Sequence, residues 1–437
     1  MKLLVISDAH VAVKNGKKVA YAPYVREMDL WMQHVGETTI ISPGNMDKPL
    51  LSKAFAVQDF KHIEVTRLDF HKFSSVVTSI FKIPSHAWLL WLEMKKADHI
   101  HLRAPGNLAL LAGFVQISLS RKRKTVKYAG NWDPNAKQPF SYRLQKKMFA
   151  HPKWCKNTNV MAYGQWPRQS GNIKPFFTAT YSKKERQSFH KELKTPLQFL
   201  FVGTLSPNKN PQLLVELVQS LNEQGIPAQA HFYGDGPMMM ELAQLNSTAG
   251  GSSDEFRVQS SELGSHNDEV RVQIPADSKE GYITASSGAD LQRLDGVSSS
   301  SNSSSTSFHF HGNQPSSVVK KAYEKAHFVF LASQSEGWPK AVAEGMWHGC
   351  VPIATPVSCV PWMLNNSELS REKEELKDED KNKRGILYLN QHQAIEEIKN
   401  LIQNPELFKK MSGAAQHWSQ QYTMEGFEEA IKDLLKS

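Results

Sequence analysis

One stretch constrains this chain more than any other: Ser335-Glu336-Gly337-Trp338-Pro339-Lys340-Ala341-Val342-Ala343-Glu344-Gly345-Met346-Trp347-His348-Gly349. It opens on an acidic residue and a Gly-Trp-Pro turn, then runs through 341–348 with the composition of a helix. Pro339 suits the first helical position, because its missing N–H is one that a helix start leaves unpaired anyway. The remaining free N–H groups of such a start form a seat for an anion such as a diphosphate. Glu336 stands just ahead of that seat, and Glu344 falls about two turns in. An ionised carboxylate is a strong acceptor for sugar or ribose hydroxyls. Without a role for the two acids, the stretch is an amphipathic helix of an α/β domain.

Glu336 and Glu344, with seven residues between them inside Ser-Glu-Gly-Trp-Pro…Glu-Gly-Met, resemble the paired-glutamate motif of family-4 retaining glycosyltransferases of the GT-B fold. Gly349-Cys350-Val351-Pro352-Ile353-Ala354-Thr355 is similar to the strand after that motif. Upstream, a strand expected at 198–202 leads into Gly203-Thr204-Leu205-Ser206-Pro207-Asn208-Lys209-Asn210, which resembles the family's phosphate loop. Lys209 matches the Lys of that loop. The Arg position is Thr204 here, and Lys340 and Arg103 are the candidates to replace it. Gly234-Asp235-Gly236-Pro237, the turn after the next expected strand, is again similar. Many members carry a His where this chain has Gly130-Asn131-Trp132-Asp133-Pro134, so that carry-over fails. The resemblance is specific over 196–245 and 308–389. In the first half it rests on strand–helix alternation.

It implies an α/β chain of the GT-B kind, two Rossmann-like domains with parallel sheets facing across a cleft. A nucleotide sugar would bind the second domain and the acceptor the first. The diphosphate would sit on the helix start and Lys209, Glu344 would hold the ribose, and Glu336 a hydroxyl of the transferred sugar. Gly203, Thr204, Gly337, Trp338, Pro339 and Lys340 would complete the donor surface. Glu336, Lys209, Asn131 and Asp133 are the catalytic candidates; His10, His101, Arg103 and Asn107 are the acceptor-side candidates. The family retains anomeric configuration, and no protein nucleophile is evident. UDP-sugars are expected over GDP-sugars, and no cofactor or metal is expected. Asp378-Glu379-Asp380, the nearest approach to an acidic metal motif, lies in a charge run. A glycoside hydrolase needs its carboxylates roughly 5–9.5 Å apart, whereas a continuous helix would hold Glu336 and Glu344 about 12 Å apart. A GT-B sugar-nucleotide epimerase and a catalytically inactive GT-B partner subunit stay open, the latter because of Thr204 and the absent His.

The 437 residues call for two domains. They are expected at 1–181 and 196–425, joined by a charged crossover at 182–195, with 426–437 as a helix returning to the first. Residues 246–307 are polar and end in a serine tract, so a disordered insertion is expected there. Residues 1–195 hold 32 Lys and Arg against 13 Asp and Glu, while the rest hold 20 against 30. So basic a front half points to a polyanionic partner. No nucleic-acid module is present, so an anionic membrane surface or a lipid-diphosphate acceptor ranks first. Arg121-Lys122-Arg123-Lys124, with Trp88, Trp91, Lys95 and Lys96, is the candidate patch. Three scattered cysteines form no disulfide framework. No signal peptide or membrane span is evident. A cytoplasmic enzyme, peripheral on the inner face of the plasma membrane, is the expectation, and a glycan in bacterial surface polysaccharide synthesis the expected acceptor.

Overall fold

Leu3-Leu4-Val5-Ile6 has no polar alternation, so both faces of its strand must be covered, which favours a parallel sheet between helix layers. The computed structural model describes residues 1–44, 52–70, 73–248, 307–365 and 383–436. The insertion at 249–306 and the charge run at 366–382, including Asp378-Glu379-Asp380, lie outside the described residues. Residues 246–248, read as the start of the insertion, close a helix instead.

The first half contains β1 (Lys2–Ser7), β2 (Ala12–Lys14), β3 (Lys17–Tyr21), α1 (Ala22–Met32), β4 (Glu37–Ser42), β5 (Ser52–Ala54) and β6 (Lys61–Glu64). It continues through α2 (Phe73–Lys96), β7 (His99–Ala104), α3 (Asn107–Val115), β8 (Arg123–Tyr128), α4 (Phe140–Ala150), β9 (Thr158–Tyr163) and β10 (Ile173–Phe176). Seven of these strands form one parallel sheet in the order β10-β9-β8-β7-β1-β4-β6. The segment after β1 is in part a hairpin: Asn15 (φ 49°) and Gly16 (φ 73°) turn β2 into β3, and β5 adds a third antiparallel strand. Both turn residues have positive φ, as the tightest hairpins require. The last strand of this half, β10, ends at Phe176.

The second half contains β11 (Leu197–Val202), α5 (Gln212–Glu223), β12 (Ala228–Tyr233), α6 (Met239–Thr248), β13 (Phe308–Phe310), α7 (Ser316–Lys325) and β14 (Phe328–Leu331). It ends with α8 (Lys340–Trp347), β15 (Val351–Ala354), α9 (Val360–Met363), β16 (Ile386–Leu387), α10 (Gln391–Gln403), α11 (Pro405–Ser419) and α12 (Met424–Lys436). Its parallel sheet has the order β13-β12-β11-β14-β15-β16. Each sheet therefore reverses strand order once, at β1/β7 and at β11/β14. Open α/β sheets bind ligands in the crevice at the carboxyl ends of such a pair.

One face of the first sheet packs on α2, α3 and α4 through Leu4, Ile6, Met94 and Val126. On the other face, Trp31 of α1 shares a core with Phe427, Ile431 and Leu435 of α12. The last helix thus lies on the first sheet, and burying those three side chains is worth about 2 kcal/mol each. Met424 N–H donates to Tyr181 O (2.9 Å), and Glu425 Oε2 accepts from Lys183 N–H (2.8 Å). Among the described residues no helix is long and apolar enough to cross a membrane.

Candidate active site

The second sheet's reversal point brings together two loops far apart in sequence. The loop after β11 carries Lys209, and the loop after β14 carries Glu336. Their backbones are laced: Gln334 N–H donates to Asn208 O (2.9 Å), and Asn210, in a left-handed conformation, donates from Nδ2 to Ala332 O (2.9 Å). Lys209 Nζ forms an ion pair with Glu336 Oε1. The Lys209 side chain is 27% exposed and that of Glu336 11%, so the pair is reachable but partly desolvated. Gly203 ends β11 beside Gly234, where any Cβ on Gly234 would collide with the Gly203 carbonyl. The loop is tied to the turn after β12, with Gly203 N–H donating to Tyr233 O (2.9 Å) and Leu205 N–H to Asp235 O (3.0 Å). Thr204 is exposed beside it.

Helix α8 begins at Lys340, with Pro339 immediately before it and no side-chain cap. Ala343 N–H donates to Pro339 O (3.1 Å), and the N–H groups ahead of it are those that a helix start leaves unpaired. Glu344 is the fifth residue of α8, about one turn in rather than two. Its Oε1 accepts from Thr180 Oγ1 (2.9 Å) and lies 3.4 Å from Lys340 Nζ; its Oε2 accepts from Tyr323 OH (3.4 Å). Burial, and then Glu344 itself, pushes the Tyr323 phenol well above its ordinary range, so it remains a donor. Glu344 therefore already holds two hydroxyls of its own chain. A carboxylate offers about four acceptor positions, so capacity remains.

Gly337 sits where the halves meet. A Cβ there would strike the Ala129 carbonyl at the end of β8 and the Tyr163 ring at the end of β9. Ser358 Oγ donates to Gly337 O (2.8 Å). Trp338 was expected on the donor surface, but its ring is only 8% exposed. It packs between Tyr163 (5.8 Å) and Trp418 (6.2 Å), so it anchors the turn. Asn131 and Asp133 lie on the loop after β8, directly beyond Ala129. Asn131 Oδ1 accepts from Asp133 N–H and Asp133 Oδ1 from Asn135 N–H, both at 2.8 Å. Each side chain thus shapes its own loop.

The acceptor-side candidates fare differently. His101 does not face the cleft: it is fully buried, with Nδ1 on Thr125 Oγ1 (2.9 Å) and its ring 4.3 Å from that of Trp31. Burial holds it neutral, well below the usual histidine range. The physical reason is strand alternation, which turns His101 under α1. Arg103 lies on the same face and pairs with Glu27 Oε2 (2.6 Å), which Lys127 Nζ also meets (2.9 Å). Burial would raise the Glu27 carboxyl, but Arg103 and Lys127 bring it down to about 2. Arg103 is thus committed within the first half and does not replace the phosphate-loop Arg; Lys340 stays beside the helix start. Asn107 Nδ2 donates to Leu68 O (2.8 Å). Asp8 Oδ1 and Oδ2 accept from Leu108 and Ala109 N–H (3.2 and 3.4 Å), so the start of α3 is taken by a carboxylate of the chain itself. His10 is half-buried beside that carboxylate.

Glu27 and Lys127 escaped the sequence reading. One signal was available: Tyr24, Glu27, Met28 and Trp31 fall on one helical stripe, and an acid on an apolar stripe needs a buried partner.

No protein-family model matches the chain, and no curated protein matches it in sequence. Solved structures do match it. Anabaena HepE, solved with UDP and glucose, superposes over 100% of both chains at 12% identity with a TM-score of 0.57. A glycosyltransferase from Rickettsia africae covers 100% of this chain and 99% of its own at 14% identity, TM-score 0.58. The lipopolysaccharide outer core galactosyltransferase WaaB, in its apo form, covers 100% and 99% at 13% identity, TM-score 0.57. At such identities the likeness is one of fold. The chain has the GT-B fold, two Rossmann-like domains each built on a parallel sheet.

Proposed function

We propose that this chain is a retaining glycosyltransferase that moves a sugar from a UDP-sugar to a glycan or lipid-linked acceptor. The observation that carries the reading is the Lys209–Glu336 pair at the β11/β14 reversal point, beside the uncapped start of α8. The donor choice is supported by HepE, solved with UDP and with UDP-glucose.

In this reading the diphosphate lies on the N–H groups of α8 and draws Lys209 away from Glu336. Glu336, released, accepts a hydroxyl of the transferred sugar. Glu344 accepts the ribose hydroxyls, taking them beside or in place of Thr180 and Tyr323. The acceptor hydroxyl approaches the anomeric carbon from the face on which the diphosphate leaves. The bond between that carbon and the diphosphate oxygen breaks, and its electron pair goes to the diphosphate. The acceptor's proton passes to the departing oxygen, and configuration is retained. Lys209 and the helix start stabilise the developing charge, which is electrostatic catalysis. Gly203, Thr204, Gly337, Pro339 and Lys340 line the donor. Asn131 and Asp133 shape the facing loop, and His10 and Asn107 border the acceptor. The reaction is expected to survive EDTA.

The first half supports a peripheral position on an anionic membrane, at the cytoplasmic face, in surface polysaccharide synthesis. Helix α2 exposes Val77, Ile80, Phe81 and Trp88 along one stripe, with Lys95 over the Trp91 ring at 4.3 Å. Aromatic and lysine side chains together suit a lipid interface.

A thermal-shift screen against nucleoside diphosphates and nucleotide sugars tests the donor, since a ligand that binds only the folded chain raises its Tm. UDP and a UDP-sugar should stabilise selectively. Equal response to all nucleotides, or to none, would remove the proposal and favour an inactive GT-B subunit. Interconversion of sugar nucleotides without acceptor would favour an epimerase.

A further inference from the structure

A cavity of about 280 Å³ opens at the amino ends of β7, β8 and β9, at the opposite edge of the first sheet from the loops bearing Asp8 and Asn107. Its lining is basic and polar. Arg123, which begins β8, is in register with His99, which begins β7. Asn159 of β9 joins them, Arg121 and Thr158 border the opening, and Leu434 of α12 closes one side.

Two of the four consecutive cations here are already used. Lys122 Nζ donates to Lys95 O (2.8 Å) and Ala97 O (2.6 Å), and Lys124 Nζ to Leu119 O (2.8 Å). Arg121 and Arg123 have no hydrogen-bond or ion-pair partner among the described residues. Two exposed guanidiniums alone mean little. His99 adds an independent observation: it lines the cavity, is 1% exposed, and its Nδ1 is buried without a partner. Buried polar atoms are seldom left so.

Thr125 links its tautomer to that of His101. His99 Nε2 and His101 Nδ1 both lie 2.9 Å from Thr125 Oγ1. A hydroxyl donates once and accepts from others. If Thr125 donates to His99 Nε2 and accepts from His101 Nδ1–H, neutral His99 carries its proton on Nδ1. Burial, and then Arg123, holds His99 at about 4, so the ring is neutral near pH 7. With the proton on Nδ1, a ring N–H and two guanidinium forks line one space. Paired N–H donors of this kind match the oxygens of a phosphate.

We propose that this cavity is a phosphate site, remote from the donor cleft, which takes inorganic phosphate or the phosphate group of a small soluble phosphomonoester on Arg121, Arg123 and His99. Because Leu434 forms one wall, an occupied site also ties α12 to the first sheet.

The test is calorimetric titration of the whole chain with inorganic phosphate at constant ionic strength, with and without saturating UDP. One phosphate should bind in both conditions, raising Tm, and Arg121→Gln with Arg123→Gln should weaken it about tenfold or more. These side chains are exposed, so the variant should fold. Phosphate should also move the ring-nitrogen NMR signals of His99, as judged by their loss in His99→Gln. Binding abolished by UDP, or unchanged in the double arginine variant, would overturn the proposal. So would arginine-dependent binding to phosphatidylglycerol vesicles without binding of free phosphate.

Discussion

Lys209→Met should weaken UDP binding while Glu336→Gln should not, although the two residues are ion-paired. At contact distance and an effective dielectric of about 20, the gross attraction between such charges is about 4 kcal/mol. Lys209 is 27% exposed, so solvent takes back much of that. A hydrogen bond to a charged group is worth about 1.5–3 kcal/mol net. In Lys209→Met the diphosphate loses that bond, and Kd should rise about 10- to 100-fold. In Glu336→Gln the ammonium keeps its charge and loses its competitor, so UDP should bind as in the wild type or up to about tenfold tighter. UDP-glucose should lose its advantage over UDP in that variant, because the sugar hydroxyl meets a neutral acceptor. Calorimetric titration of both ligands into each variant reads all three effects, with circular dichroism confirming the fold. Equal weakening in both variants would mean that the pair merely ties two loops together. A Lys209→Met protein that binds UDP like the wild type would remove Lys209 from the donor site.

Other consequences can be measured independently. Gly337→Ala pushes a methyl into the Ala129 carbonyl and should cost about 1–3 kcal/mol by chemical denaturation, with domain separation visible in small-angle scattering. Glu344→Ala releases Thr180 and Tyr323, so Tm should fall, UDP should bind more weakly and its advantage over 2′,3′-dideoxy-UDP should shrink; unchanged discrimination between the two ligands would remove Glu344 from the ribose. Glu27→Gln strands Arg103 and Lys127 in a buried position and should cost about 3–5 kcal/mol. Glu27 ionises at about 2 in the folded chain against an ordinary 4.5. Its contribution is therefore complete above pH 4.5 and fades as pH falls toward 2. The wild type should lose about 3 kcal/mol of its lead over Glu27→Gln across that window, read from urea midpoints.

The second half was legible because its chemistry is local. Glu336, the Gly-Trp-Pro turn and the helix start occupy one continuous stretch, and Lys209 follows a strand by a short loop. What joins them is the β11/β14 pairing, which strand alternation implied without measuring. The first half was harder for a definite reason. Its ties run across about a hundred residues with no motif at either end, as with Lys127 to Glu27 and Leu108 to Asp8. No spacing in the sequence announces them. His101 and Arg103 were candidates for the cleft, but a strand covered on both faces gives no clue to which side a residue turns. Trp338 misled for a related reason, since an aromatic in a motif loop can serve a ligand or a core equally. Asn15-Gly16 is a hairpin signal, but the short strands it joins have no long β-run to support it.

Hydrogen exchange with and without UDP tests the donor site most directly, because it needs no acceptor. Slowed exchange should appear in the backbone of 203–210 and 336–344, the two loops joined by Lys209 and Glu336, and be absent in Lys209→Met. Protection that spares both loops, or that gathers at the β1/β7 crevice of the other sheet, would place the nucleotide elsewhere and leave the paired glutamates without a donor to hold.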